Sequence, residues 1–473
     1  MVTRINTDIC VIGAGSGGLS VAAGAVQMGA RVVLIEGGEM GGDCLNTGCV
    51  PSKALIAAAK AAHAMRSGAA LGIAPVEPQI DFGAVKDHVA RVIEAIAPVD
   101  SQARFEGLGV RVIRDWARFS APNEVTAGDH VIRARRFVIA TGSRALVPPI
   151  PGIDTVPYLT NETIFALRDR PDHLIIIGGG PIGMEMAQAH RRLGSKVTVI
   201  EGAKAMGRDD PELAGMVLDA VRAEGVAIIE GQPVVRVAVV ADGIEVVVGD
   251  GNMIMGSHLL VAAGRAVTVE GLNLEAAGVA FTRKGVTVGP DLRSTNRRVY
   301  AVGDAAGGLQ FTHVAGYHAG VVIRQIVLGL PAKVSMAHIP WATYTDPELA
   351  QVGLAEAEAR KIHGDALQVL RAEFSHNDRA QAESKTTGLV KVMVVKGRAV
   401  GASIVGPQAG ELIALWALAI SARVKLSAIA GTVLPYPTLN EVSKRAVSAY
   451  FSPKLFDSPL LKRFVRVIQR LLP

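Results

Sequence analysis

Asp8-Ile-Cys-Val-Ile-Gly13-Ala-Gly15-Ser-Gly-Gly18 stands close to the start of the chain. An apolar run meets a G-x-G-x-x-G turn. The helix-forming stretch Leu19–Met28 follows, then a second apolar run, Arg31–Ile35, that ends at Glu36. The pattern returns at His173-Leu-Ile-Ile-Ile-Gly178-Gly-Gly180-Pro-Ile-Gly183, with a helix to Leu193 and a strand Lys196–Ile200 ending at Glu201. In both copies the acid stands equally far from the first glycine. A single such turn is weak evidence; two, each between strand and helix and each followed by an acid, predict paired dinucleotide-binding units. Gly13 and Gly178 permit the tight turn, Gly15 and Gly180 let backbone approach a pyrophosphate, and Gly18 and Gly183 let helix pack on strand. Phosphates then rest on the helix N-terminus, and Glu36 and Glu201 accept ribose hydroxyls. A carboxylate at Glu201 repels a 2′-phosphate, which favours NADH over NADPH. Lys204 and Arg208, close by in sequence, soften that preference.

Between the two copies lies Cys44-Leu-Asn-Thr-Gly-Cys49-Val-Pro-Ser-Lys53. Two sulfurs so close in sequence are a disulfide, a pair of metal ligands, or chance. On a regular helix, rising about 1.5 Å per residue, they stand too far apart to bridge, since a disulfide needs Cα atoms within roughly 7 Å. Asn46-Thr47-Gly48 and Pro51 therefore read as a distorted entry to a helix Ser52–Met65, folding Cys44 back toward Cys49. Cys49 then sits at a helix N-terminus, where the dipole lowers a thiol's pKa. Two further strand ends carry chemistry: Phe137-Val-Ile-Ala140-Thr141-Gly142-Ser143, closing on a small-residue turn, and Asn296-Arg-Arg-Val-Tyr-Ala-Val-Gly303-Asp304.

Composition fits a large α/β protein of about three domains: 473 residues, 49% hydrophobic, with 52 glycines for tight turns. A net charge of +6 without a long basic patch argues against nucleic acid as partner. Three cysteines do not make a secreted disulfide framework. No apolar signal core opens the chain, and no run reaches the ~20 apolar residues of a membrane span; Arg423 and Lys425 interrupt the best candidate. A cytoplasmic location is expected, and no resident metal site.

With both fingerprints and the CLNTGCVPSK stretch in place, the chain resembles the flavin-dependent pyridine nucleotide-disulfide oxidoreductases, the family of lipoamide dehydrogenase, glutathione reductase and mercuric reductase. The likeness runs from Asp8 to about Tyr450. It implies two Rossmann-like domains, for FAD and NAD(P), plus an α+β C-terminal dimerisation domain. The implied plan is an FAD domain of 1–152 and 267–337, an NAD(P) domain at 153–266, a dimerisation domain at 338–450 and a tail at 451–473. FAD would occupy the first fingerprint, with Glu36 on the adenosine ribose, Asp304 on the ribityl chain, Ala117 near the adenine and the Thr141-Gly142 turn beside it. NAD(P)H, NADH preferred, would occupy the second, with Gly264 close. Lys53, paired with Glu185, would lie by the reactive flavin nitrogen. Cys49 would be the thiolate facing the flavin and Cys44 the interchange thiol, the two forming a redox-active disulfide. The family acts as a homodimer whose site is completed across the interface.

One position departs from the family. Its disulfide reductases carry His-Pro-Thr-x-x-Glu near the C-terminus, the histidine serving as acid–base and the glutamate orienting it. Here the segment reads Tyr436-Pro-Thr-Leu-Asn-Glu441. Tyrosine, with a pKa near 10 against about 6.5 for histidine, is a poor general base but a competent hydrogen-bond donor. Mercuric reductases share that tyrosine, yet they add a C-terminal cysteine pair, and no cysteine follows Cys49 here. His313 and His318 fall on a probable helix under the flavin end. The expected acceptor is a small molecule or metal ion: a disulfide, as in dihydrolipoamide dehydrogenase, or a metal ion or quinone. A reading from another class is a non-catalytic flavin-binding scaffold at a membrane surface. The tail prompts it, for Ser458–Pro473 reads as a basic amphipathic helix, packed on the protein's own body or laid on an anionic membrane.

Overall fold

The computed structural model describes residues 2–472. The chain forms two units, one of residues 1–62, 79–202 and 231–334, the other of residues 63–78, 203–230 and 335–473.

The first unit is built around β1 (Thr3–Ile12), α1 (Ser16–Gln27) and β2 (Val32–Ile35). Beyond α2 (Gly42–Asn46) and α3 (Cys49–Arg66), the chain adds β3 (Arg111–Ile113), β4 (Arg118–Ala121), β5 (Glu124–Ala127) and β6 (His130–Ile139). The strands order as β3-β2-β1-β6-β5-β4, parallel through β6 and antiparallel beyond it. Every residue of β2 is buried. That is why it reads as an unbroken Val-Val-Leu-Ile run rather than an alternating one. Two fully buried rings, Phe119 and Phe137, meet edge to face at 5.3 Å beneath the sheet.

The second fingerprint rebuilds the same unit. Strands β7 (Tyr158–Leu159), β8 (His173–Ile177), β9 (Lys196–Glu201) and β10 (His258–Val261) pair in parallel, with α4 (Pro181–Arg192) between β8 and β9. The chain then returns to the first sheet with β11 (Val299–Ala301), which pairs with β6, and α5 (Thr312–Ile326) packs on α1. Small residues allow that approach. A Cβ at Gly17 would lie 3.1 Å from Val302 and 3.3 Å from Ala315.

In the second unit, strands β12 (Pro340–Thr343), β13 (Glu348–Gly353), β14 (Leu367–Glu373), β15 (Leu389–Val395) and β16 (Arg398–Gly406) form an antiparallel sheet ordered β12-β13-β16-β15-β14. Helices α6 (Ala409–Ser421) and α7 (Glu441–Phe456) share a core with it around the fully buried Trp416, whose indole N–H donates to Ser443 Oγ at 3.3 Å. Lys391 of β15 is only 3% exposed. Its ammonium meets Asp210 at 2.8 Å, Glu212 at 2.9 Å and Glu356 at 2.9 Å. The chain closes with α8 (Pro459–Leu471). Two dinucleotide-type α/β sheets followed by an α+β domain is the fold class expected from the sequence. Among the described residues no helix is long and apolar enough to cross a membrane.

Candidate active site

Both glycine turns are shaped by contact as well as by φ. Gly13 and Gly178 adopt φ of 103° and 112°, and a Cβ on either would meet a carbonyl oxygen at 2.4 Å. A Cβ on Gly18 would lie 1.8 Å from the Gly13 carbonyl oxygen, and one on Gly183 2.0 Å from that of Gly178. The middle glycines differ in kind: around Gly180 nothing lies within 4 Å, and Gly15 meets only Gly42 Cα at 4.0 Å. Each is an N-cap residue without a capping side chain. The first amides of α1 and α4 are therefore left uncapped by side chains beside open space. An open cradle next to uncapped helix amides fits a dinucleotide pyrophosphate. Glu36 and Glu201 close the turns, accepting from Ala14 N at 2.5 Å and from Gly179 N at 2.8 Å.

The dithiol lies where two helices break. The expected Ser52–Met65 helix is longer, running from Cys49 to Arg66, and its distorted entry is a helix of its own, α2. Pro51 sits in the first turn of α3, where its missing N–H costs nothing. The break falls at Thr47 and Gly48, and a Cβ on Gly48 would press to 2.8 Å from the Asp43 carbonyl oxygen. The turn carries Cys44 back to hydrogen-bond Cys49. Both are free thiols. Cys49 is lowered to about 6, first by the hydrogen bond from Cys44, then by Thr312 and the charge of Lys53. Cys44 moves the other way, raised by the same bond to Cys49 and by burial. The two shifts run in opposite directions, favouring the thiolate on Cys49 and the thiol on Cys44. Cys10, by contrast, is buried in the core of the first sheet.

Lys53, one turn into α3, places its ammonium 2.8 Å from Glu185, which is nearly buried on α4. Asp43, next to Cys44, meets Arg265 at 3.0 Å and accepts from Asn161 at 2.8 Å and Thr47 at 2.9 Å. Arg265 also donates to Ser143 Oγ at 2.7 Å, which in turn donates to Asp304 at 2.5 Å. Burial raises the Asp304 carboxyl. Thr141 Oγ1 donates to Thr268 O at 2.6 Å, Gly142 turns with φ of 66°, Gly264 turns with φ of 133°, and Ala117 is buried just before β4. One sheet end therefore gathers the residues of the first fingerprint, the dithiol and Asp304.

Sequence reading missed four of these partners: Thr312, whose hydroxyl lies 3.4 Å from Cys49 Sγ, and Asp43, Asn161 and Arg265. Only Asp43 and Arg265 carried a visible signal, each adjoining a residue already singled out. His318 is buried and accepts from Gly303 N at 3.2 Å. His313 is exposed and stacks on Phe311 with ring centres 5.3 Å apart.

Tyr436 and Glu441 belong to the second unit. The phenol is 71% exposed and donates to Asp378 at 2.8 Å, which raises its pKa further. Glu441 opens α7 and accepts from Thr438 N at 3.3 Å. The residue that engages Tyr436 is thus Asp378, which the sequence did not suggest.

Two dinucleotide cradles beside a polarised dithiol define a nucleotide-dependent thiol-redox class. The chain belongs to the pyridine nucleotide-disulphide oxidoreductases: residues 7–319 match that family's model and residues 339–447 its dimerisation domain. It is an FAD-dependent enzyme of that family, which uses FAD and a pyridine nucleotide. Mercuric reductase of Acidithiobacillus ferrooxidans is 36% identical over 93% of this chain and 82% of its own length. Dihydrolipoyl dehydrogenase of Thermus scotoductus is 35% identical over 93% and 97%. Among solved structures, the Cu(II) complex of the HOCl-induced flavoprotein disulfide reductase RclA from Escherichia coli superposes with a TM-score of 0.84 at 27% identity, covering 94% of this chain and 99% of that one.

Proposed function

We propose that this enzyme is a cytoplasmic homodimer that takes electrons from NADH and delivers them through the Cys44–Cys49 couple to a small acceptor. The observation that carries the reading is the pair of thiols at the break between α2 and α3, with Cys49 Sγ 3.4 Å from Thr312 Oγ1 and Lys53 one turn along α3. FAD, when bound, would supply the two-electron relay between the pyridine nucleotide and the dithiol. Glu36, Gly15 and Asp304 would hold it, while Gly180, Gly264 and Glu201 would hold the nucleotide, the Glu201 carboxylate disfavouring a 2′-phosphate. Lys53, fixed by Glu185, keeps positive charge beside the Cys49 thiolate. Cys44, the protonated partner, is the outgoing nucleophile. With a disulfide acceptor, Cys44 passes its proton to the Cys49 thiolate as its sulfur attacks one acceptor sulfur; the acceptor S–S bond breaks, and the first leaving sulfur takes that proton back from Cys49 and departs as a thiol. Cys49 then attacks Cys44, releasing the second thiol and closing the protein disulfide.

A second reading, reduction of a metal ion or quinone, is favoured by Tyr436. Tied to Asp378, the phenol is a neutral donor at pH 7 and a poor base for substrate thiols. General acid–base help is worth about 10²–10⁴-fold, so slow turnover of lipoamide or glutathione disulfide is expected. Tyr436→His should raise it by about tenfold or more; high wild-type lipoamide activity would remove the reason for this reading. Side-by-side assays of both pyridine nucleotides with lipoamide, glutathione disulfide, Hg(II), Cu(II) and a soluble quinone identify the acceptor.

Anaerobic NADH titration of the flavin-loaded enzyme tests the primary reading. A long-wavelength thiolate–flavin absorption should rise in the wild type and be absent in Cys49→Ser. A wild type that bleaches without the band, and reduces nothing, would instead point to a flavin-binding scaffold.

A further inference from the structure

The geometry of α8 points to docking on an anionic lipid surface. At 3.6 residues per turn, the apolar residues of Leu460–Leu471 and the adjoining Leu472 fall within one arc of about 160°. Lys462, Arg463, Arg466, Gln469 and Arg470 fill the opposite side. None of the helix is buried. Leu460 is 79% exposed, Phe464 61% and Leu471 74%, and Leu455 and Phe456 at the end of α7 are exposed as well. Ser458 caps the helix by accepting from Leu461 N. Of the two readings of the tail, packing against the protein's own body leaves this apolar face uncovered.

Charge selects the occupant. Ser458–Pro473 carries four cationic side chains and no acidic one. Pairing the apolar arc with its copy would cover that face but leave both sets of cations turned outward with no counter-charge on either helix. The match to the dimerisation domain ends at residue 447, before α8 begins. A nucleic acid would satisfy the cations and leave Phe464 and Leu471 in water. An anionic bilayer takes both faces: the apolar arc enters the acyl boundary, while Lys and Arg stems run along it to keep their charges at the headgroups. This inference stands apart from the redox reading, because it rests on no cofactor, sulfur or acceptor.

The test uses the full-length, flavin-loaded enzyme in co-sedimentation with vesicles of phosphatidylcholine alone or mixed with phosphatidylglycerol. Binding should be about tenfold or more stronger on the anionic vesicles and fall as salt shortens the Debye length from about 10 Å toward 3 Å. Phe464→Glu and Arg463→Glu/Arg466→Glu should each stay in the supernatant while keeping their flavin absorption and solution turnover. Equal pelleting of wild type and Phe464→Glu, or of the two vesicle types, would overturn the inference. So would a lipid-free rise in mass abolished by Phe464→Glu, which would give the stripe to a second copy. RNA binding unaffected by Phe464→Glu, with no vesicle binding, would overturn it in favour of a nucleic acid.

Discussion

Cys49 is acidified by donors gathered from three places: Cys44 across the helix break, Thr312 at the start of α5 and Lys53 one turn along α3. A neutral hydrogen bond contributes roughly 0.5–1.5 kcal/mol, and a pKa unit corresponds to about 1.4 kcal/mol. Removing the Thr312 hydroxyl should therefore raise the Cys49 pKa by about half a unit to one unit. The sign follows from the lowered pKa: the thiolate is present above about 6 and is lost as pH falls through it. In Thr312→Val the thiolate–flavin band should disappear at higher pH than in the wild type, a shift readable by stopped-flow absorbance. An unchanged midpoint would show that the hydroxyl does not reach the sulfur. Thr312 and Cys49 are 263 positions apart. The helix start suggested a lowered pKa through the dipole, whereas the lowering follows Cys44, Thr312 and Lys53; nothing in the local pattern at Thr312 distinguishes it. The same holds for Asp378, which claims Tyr436 from 58 positions away.

At the scale of elements, the two fingerprints were readable because local geometry dictates them. A strand that must turn into a helix within a few residues, with backbone exposed to a ligand, admits only glycine at fixed offsets. Boundaries were less legible. The expected helix Ser52–Met65 starts three residues earlier, at Cys49, and the distorted entry before it is the separate helix α2; the break between them depends on how Gly48 packs against Asp43, a contact no periodicity records. The fingerprints should also be separable. Gly18→Ala drives a methyl into the Gly13 carbonyl and should yield protein with little or no bound flavin. Gly183→Ala does the same at Gly178 and should keep the flavin while raising the KM for NADH by about tenfold or more. The ratio of absorbance at flavin and protein wavelengths, with steady-state kinetics, checks both. Loss of flavin in Gly183→Ala would contradict the assignment of the second cradle to the pyridine nucleotide.

At the scale of the whole molecule, the second unit draws residues 203–230 into the same body as the C-terminal sheet. Lys391 is the knot, with one ammonium shared by Asp210, Glu212 and Glu356. Taking away a buried cation strands its carboxylates, at a cost of about 3–5 kcal/mol. Lys391→Met should therefore lower Tm by roughly 5–10 °C in calorimetry, with the NADH-reducible flavin retained at low temperature; an unchanged Tm would mean the carboxylates re-solvate freely. The hydrophobic run Leu389–Val395 announces a strand, and nothing in it announces that its lysine points inward.

Asp210 and Lys391 are 181 positions apart. At about 5–20 residues per second, a ribosome emits the aspartate roughly ten to forty seconds before the lysine that will neutralise it. During that interval the nascent stretch around Asp210 lacks its eventual counter-ion and the sheet it will rest on. Final closure of this half of the enzyme is thereby deferred until translation is nearly complete.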